Sequence, residues 1–286
     1  LSYVPTLFAI VTIPFFAAVG VGAMALGVVD GLGGFKELAI MHSTEFLSIG
    51  RAISALFGVA FVYILYRLAL PIAGRGPALL VAGLAAADFW LVHESNKAHF
   101  WMPATALLAL AMYYLLHVAE SGRLKDYWLS ATSMALGIWM CFFPIILAPF
   151  FVLAHLHTRA KNLTYLLYTG AAFLIATAVI AWLNPLSILK QFGRAIRSAL
   201  NVVGIDVFPQ FVGPSDSATE PLQNLYFLLH TLFWDNPFVF VLGLVGLLLM
   251  VYRLGYKNFS TQLMVGFFVT YLFVAMFIWP HPDHRY

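Results

Sequence analysis

Charge is scarce in this chain. Its 286 residues include 15 Lys or Arg and 12 Asp or Glu, 9% together, where an ordinary soluble domain carries about 25%. That shortage excludes a solvated globular domain. Cysteine is nearly absent: Cys141 is the only one, and it sits in an apolar run. A disulfide framework and a cysteine metal cluster are therefore excluded. No signal peptide is visible at the start. The chain begins at Leu1 rather than a methionine and enters an apolar segment almost at once, so it reads as an internal fragment of a longer protein. The pI near 9.0 does not point to nucleic acid, because the basic residues fall in short loops, where membrane orientation explains them.

What remains is apolar. Hydrophobic residues make up 62% of the sequence and aromatics 16%, and the mean hydropathy is +0.90. Several runs approach the roughly 20 residues a helix needs to cross a bilayer. The composition predicts an all-α polytopic membrane protein with about seven to nine embedded helices, residues 1–286 forming one transmembrane domain. Apolar runs predict helices at about Val4–Val29, Phe46–Ile72, Pro77–Val92, Trp101–Val118, Leu163–Leu183, Pro237–Tyr252 and Leu263–Trp279. The polar stretch "DGLGGFKELAIMHSTEF" reads as a connection. Tyr127–His155 is too long for one span and is interrupted by Pro144 and Pro149. Proline breaks a helix ladder, so two short helices folded as a hairpin or re-entrant pair are expected there.

Charge then suggests an orientation. Arg67 and Arg75 fall in one loop, Arg123 and Lys125 in a second, Arg159 and Lys161 in a third, and Arg253 and Lys257 in a fourth. With the hairpin, all four lie on one side, and short basic loops stay cytoplasmic. The other face would hold "HESNKAHF", the loop 184–235 and the closing "FIWPHPDHRY". Loop 184–235 contains "ILKQFGRAIRSAL", read as an interfacial amphipathic helix presenting Arg194 and Arg197 to headgroups.

Most of the unusual chemistry belongs to that face. Arg51 stands near the start of the second predicted helix, where an intramembrane charge usually faces a cavity. It is a candidate for a lipid phosphate, with headgroup snorkelling as the plain alternative. Asp88 lies within the third apolar run, free either to pair with Arg51 or Lys97 or to line the cavity. His93, Glu94, Asn96, Lys97 and His99 could bind sugar hydroxyls or phosphate, or form an ordinary solvated turn. At the C-terminal end His281, Asp283, His284 and Arg285 form a second candidate anion site. The two histidines are too loosely placed to suggest a metal.

These segments resemble a known family. "GRAISALFGVAFVYILYRLA", "HESNKAHFWMPATALLALAMYYLL", "GRLKDYWLSATSMALGIWM" and the final "HRY" are similar in pattern and order to the GT-C glycosyltransferases related to dolichyl-phosphate-mannose protein mannosyltransferases. The resemblance implies a GT-C-like helix bundle, a polyprenyl-phosphate sugar donor and inverting transfer to a lipid, glycan or protein acceptor on the non-cytoplasmic face. It implies that the catalytic acidic residue lies in a loop upstream of Leu1, and that the first apolar segment is a membrane-embedded juxtamembrane helix. Donor phosphate would be held by Arg51, Arg285, His284 and His281. No cofactor is required by this reading, and a divalent cation is left open. Two positions depart from the family pattern. Trp101 stands where relatives often carry an acidic residue, and Cys141–Phe142 where they often carry a threonine–lysine pair. A transporter or lipid flippase is the principal rival, since broken helices and intramembrane charge also mark those. Transporters usually show internal repeats, and none is seen here. A non-catalytic membrane scaffold is the third reading.

Overall fold

The longest helix sets the frame. In the computed structural model, which describes residues 6–141, 143–158, 162–183, 226, 229–230 and 237–277, helix α3 (Ser43–Ala73) has 31 residues. At 1.5 Å per residue that is about 46 Å, longer than the roughly 30 Å hydrocarbon core. It follows α1 (Thr6–Ala25) and α2 (Gly31–Met41). The chain then forms α4 (Arg75–Ala87), α5 (Phe89–Ser95), α6 (Trp101–Ser121), α7 (Leu124–Met140), a 3-10 turn (Phe143–Leu147), α8 (Ala148–His157) and α9 (Leu163–Leu183). A second compact unit begins at Pro185 and contains α10 (Pro237–Leu254) and α11 (Phe259–Phe277). Every regular element among the described residues is helical, so the all-α membrane bundle expected from composition holds. Among the described residues two helices, α3 and α6, are long and apolar enough to cross a membrane by themselves, and the bent pair α4–α5 makes a third candidate span.

Side-chain contacts give the helix directions in the first unit. Ser54 of α3 donates to the carbonyl of His99, just before α6, at 3.0 Å, and Arg67 donates to Tyr113 of α6 at 2.9 Å. Positions advance together on both helices, so α3 and α6 run parallel, with α4–α5 returning between them. Helix α7 is antiparallel to α6: Ser121 meets Asp126 at 2.8 Å, and Ser130 donates to the Ala111 carbonyl at 2.8 Å. Helix α6 is the centre of the first unit, and it is buried over more of its length than α3. Small residues line its contact faces (Ala104, Ala106, Ala109 and Ala111 are all buried), which lets neighbouring backbones approach closely in lipid. Outward-facing Leu56, Val59, Leu79 and Leu80 are exposed, as a lipid-facing surface requires.

The hairpin expected between Tyr127 and His155 is present. Helix α7 has 17 residues, about 25 Å. The five-residue 3-10 turn and ten-residue α8 return about the same distance. The Tyr127 hydroxyl consequently meets His155 Nδ1 at 2.7 Å, joining the first turn of α7 to the last turn of α8. At the apex a Cβ on Gly137 would lie 2.8 Å from Pro144 Cγ, so glycine is what lets the proline turn close against α7.

Three expectations are corrected. The connection at 30–46 is largely helical: α2 forms there, and Phe35 packs on Phe46 at 5.6 Å between centroids while Phe46 stacks on Phe16 of α1 at 5.7 Å. Three glycines, Gly31, Gly33 and Gly34, made that stretch look like loop, but these aromatic contacts hold it in a helix. The third apolar run is not one helix. It breaks at Asp88 with a bend of 59°, because the Asp88 carboxylate accepts from the Leu91 amide at 2.9 Å and so caps a new helix. Arg67 belongs to α3 and not to the loop that follows it.

Close packing of α5 on α3 yields a stability prediction. A Cβ on Gly58 would collide with Ser95 Oγ, the group that donates to the Leu91 carbonyl at 2.6 Å. Gly58→Ala should destabilise the bundle by about 1–3 kcal/mol, the usual cost of overpacking. Ser95→Gly in the same chain should restore most of it. Thermal unfolding in detergent of the single and double variants is the check, and equal midpoints for wild type and Gly58→Ala would contradict the contact.

In the second unit, the Asn258 side chain accepts from the Ser260 amide at 2.9 Å and so starts α11. Gly255, at φ 75°, supplies the left-handed turn that ends α10.

Candidate functional site

Arg51 begins one stripe of α3. Positions 51, 54 and 58 share a helix face, and that face meets the α5–α6 connection at Ser54 and Gly58. Arg51 therefore sits one turn beyond the point where the polar loop touches α3. It is exposed, and it forms no hydrogen bond or ion pair among the described residues. The fold thus brings Arg51 and the 93–99 segment to one end of the first unit.

Within the segment the candidates divide by role. Asp88 pairs with neither Arg51 nor Lys97; its carboxylate is spent on the α5 cap. Lys97 Nζ instead pairs with Glu94 at 2.6 Å, so these two charges largely satisfy each other. The Asn96 side chain donates to the Val92 carbonyl at 2.9 Å and closes the last turn of α5. His93 lies against Phe89 and Trp90, with centroids at 5.7 and 5.8 Å.

His99 differs from the rest. Its ring stacks on Phe100 at 4.1 Å and on Trp101 at 6.1 Å, while Nδ1 is buried without a hydrogen-bond partner among the described residues. Burial lowers its pKa from the ordinary 6.5, Glu94 raises it and Lys97 lowers it again. His99 is therefore held neutral, with an uncommitted ring nitrogen beside the Arg51 stripe. A depressed histidine pKa makes the folded chain refuse a proton that the unfolded chain accepts. Above about pH 6.5 both states are neutral and stability is unaffected. As pH falls below that value stability should decline, until the folded value is passed. Thermal midpoints measured against pH should show this slope in wild type and a shallower one in His99→Asn. An unchanged slope would place the titration elsewhere.

At the C-terminal end, His281, Asp283, His284 and Arg285 lie outside the described residues, as do Phe142, Arg159, Lys161, Arg194, Arg197 and nearly all of the loop 184–235. Trp101, at the departure from the family pattern, opens α6 and is half-buried. Sequence reasoning missed Ser54. Its signal was available in the spacing of Arg51, Ser54 and Gly58, a stripe of small residues below an arginine.

The opposite end of this unit is basic. Arg75 follows the end of α3, Arg123 and Lys125 follow α6, and all three are exposed. Arg123 pairs with buried Asp126 at 3.3 Å, which ties the α6–α7 turn.

An all-helical apolar bundle with helices long enough to span a bilayer is an integral membrane protein. The profile of the dolichyl-phosphate-mannose-protein mannosyltransferase family matches residues 38–183, half of the chain, and the chain belongs to that family. The match spans α3 to α9 and includes Arg51, Ser54 and the 93–99 segment. Membership makes it a membrane glycosyltransferase of the GT-C type. No curated protein and no solved structure matches the chain.

Proposed function

We propose that this chain transfers a sugar from a polyprenyl-phosphate donor to a lipid, glycan or protein acceptor on the non-cytoplasmic face, and that Arg51 holds the donor phosphate. The observation that carries the reading is the stripe from Arg51 to Gly58. It sets an arginine with no carboxylate partner among the described residues one turn from a polar loop, at the end of the first unit away from Arg75, Arg123 and Lys125. Short basic loops favour the cytoplasm, which assigns the Arg51 end to the other side. Guanidinium pairs bidentately with phosphate oxygens and stabilises charge that develops as the lipid phosphate departs.

The remaining roles rest on the family resemblance. Arg285, His284 and His281 would complete the phosphate site, with Asp283 beside them. The general base would be an acidic residue in a loop preceding the matched segment. His93 and His99 would border the acceptor path, and Glu94, Asn96 and Lys97 would hold the shape of that border. Asp88 acts through the bend it caps. The test is transfer of labelled sugar by purified full-length protein, comparing polyprenyl-phosphate and nucleotide donors. Transfer from the nucleotide donor alone would overturn the reading.

A further inference from the structure

At the basic end of α3 lies a second arginine whose surroundings are built differently from those of the other described cations in the first unit. Arg67 is sixteen residues beyond Arg51 on the same helix, about 24 Å along the axis. That is close to the thickness of the hydrocarbon core, so the two guanidiniums stand near opposite headgroup layers. Arg67 Nη1 donates to the Tyr63 hydroxyl at 3.0 Å, and Nη2 donates to the Tyr113 hydroxyl at 2.9 Å. Its guanidinium carbon is also 5.9 Å from the Tyr63 ring centroid and 5.6 Å from that of Tyr113, within cation–π range.

Both partners are phenols. Lys97 is matched by Glu94 and Arg123 by Asp126, but no carboxylate pairs with Arg67 among the described residues, so its full positive charge is retained. A guanidinium has five N–H donors. Two are committed to tyrosines on two different helices, which fixes the plane of the group and leaves three donors open. Arg67 and Tyr63 are both exposed, Tyr63 to 58%. Glu120, two turns past Tyr113 on α6, is engaged with His117 at 3.5 Å.

We propose that Arg67, clamped by Tyr63 and Tyr113, is a binding site for the phosphate of an anionic lipid headgroup at the basic end of the bundle. A merely snorkelling arginine needs no such clamp. Two tyrosines at headgroup depth hold the guanidinium as a planar fork, the geometry that a phosphodiester accepts bidentately. Tyrosine is at home at this depth, with its ring toward acyl chain and its hydroxyl toward water. A lipid seated here would rest against both α3 and α6, the two described helices long and apolar enough to span a bilayer on their own.

Native mass spectrometry of the purified full chain in neutral detergent tests this, with phosphatidylglycerol, phosphatidylcholine and inorganic phosphate as separate probes. Wild type should bind phosphatidylglycerol more tightly than either of the others. Arg67→Gln should weaken that binding about tenfold or more, the loss of a charge-assisted hydrogen bond. The double variant Tyr63→Phe/Tyr113→Phe keeps both rings and should weaken it about threefold, since the arginine remains but is no longer held in place. Arg123→Gln should bind as wild type does. Equal phosphatidylglycerol affinity in wild type and Arg67→Gln would overturn the proposal. So would inorganic phosphate binding as tightly as the lipid, because the site would then serve a free anion.

Discussion

Arg51→Ala should slow sugar transfer by about 30- to 1000-fold. The estimate is the loss of one charge-assisted contact made in the transition state, roughly 2–4 kcal/mol. Arg51 is exposed and has no carboxylate partner among the described residues, so truncating it should strand no buried charge and the folded bundle should survive. Arg51→Lys keeps the charge but loses the fork, and should recover only part of the rate. If donor phosphate is gripped more tightly as the sugar leaves, the fall should appear mainly in kcat and not in KM. The measurement is transfer from a polyprenyl-phosphate donor by purified full-length variants at several donor concentrations. Wild-type kinetics in Arg51→Ala would reduce this arginine to a headgroup anchor.

The second large effect concerns the hairpin. Tyr127 is fully buried and forms its 2.7 Å bond with His155 across the ends of α7 and α8, with Tyr165 of α9 packed edge-on at 6.0 Å. Tyr127→Ala removes the ring that three helices share and should cost about 3–5 kcal/mol. Tyr127→Phe keeps the ring and loses only the hydroxyl, leaving His155 short of a partner, and should cost about 1–3 kcal/mol. Denaturation of the purified variants separates the two contributions. A Phe variant as unstable as the Ala variant would mean that the hydrogen bond, not the packing, closes the hairpin.

Much of this architecture could be read from residue order. Long apolar runs located α3, α6 and α9, and Pro144 with Pro149 marked the turn between α7 and α8. Helix α2 escaped because "DGLGG" is turn-like in isolation, and its helix depends on aromatic contacts to α1 and α3. Asp88 was misjudged for a similar reason. A carboxylate in an apolar run looks like a charge in search of a cation, yet this one is satisfied by a backbone amide three residues on. Arg51 and the 93–99 segment stood out as polar groups in or beside apolar helices, but Ser54, which joins them, carries no charge to draw notice. The clamp on Arg67 was illegible because Tyr63 and Tyr113 come from helices whose parallel pairing only the fold reveals.

The bend at Asp88 has a consequence for hydration. Where α4 stops, the carbonyls of its last turn lose their helical donors, and hydrocarbon offers none in exchange. The Asp88 amide still donates to the Ala85 carbonyl at 3.3 Å, and the carbonyls left over must be met by neighbouring polar groups or by water. Beyond it α5 turns by 59° and sets Phe89, Trp90 and Val92 on the outside, where they meet acyl chains near the headgroups. The lipid boundary along this side is consequently drawn by a slanted seven-residue helix rather than by a helix end.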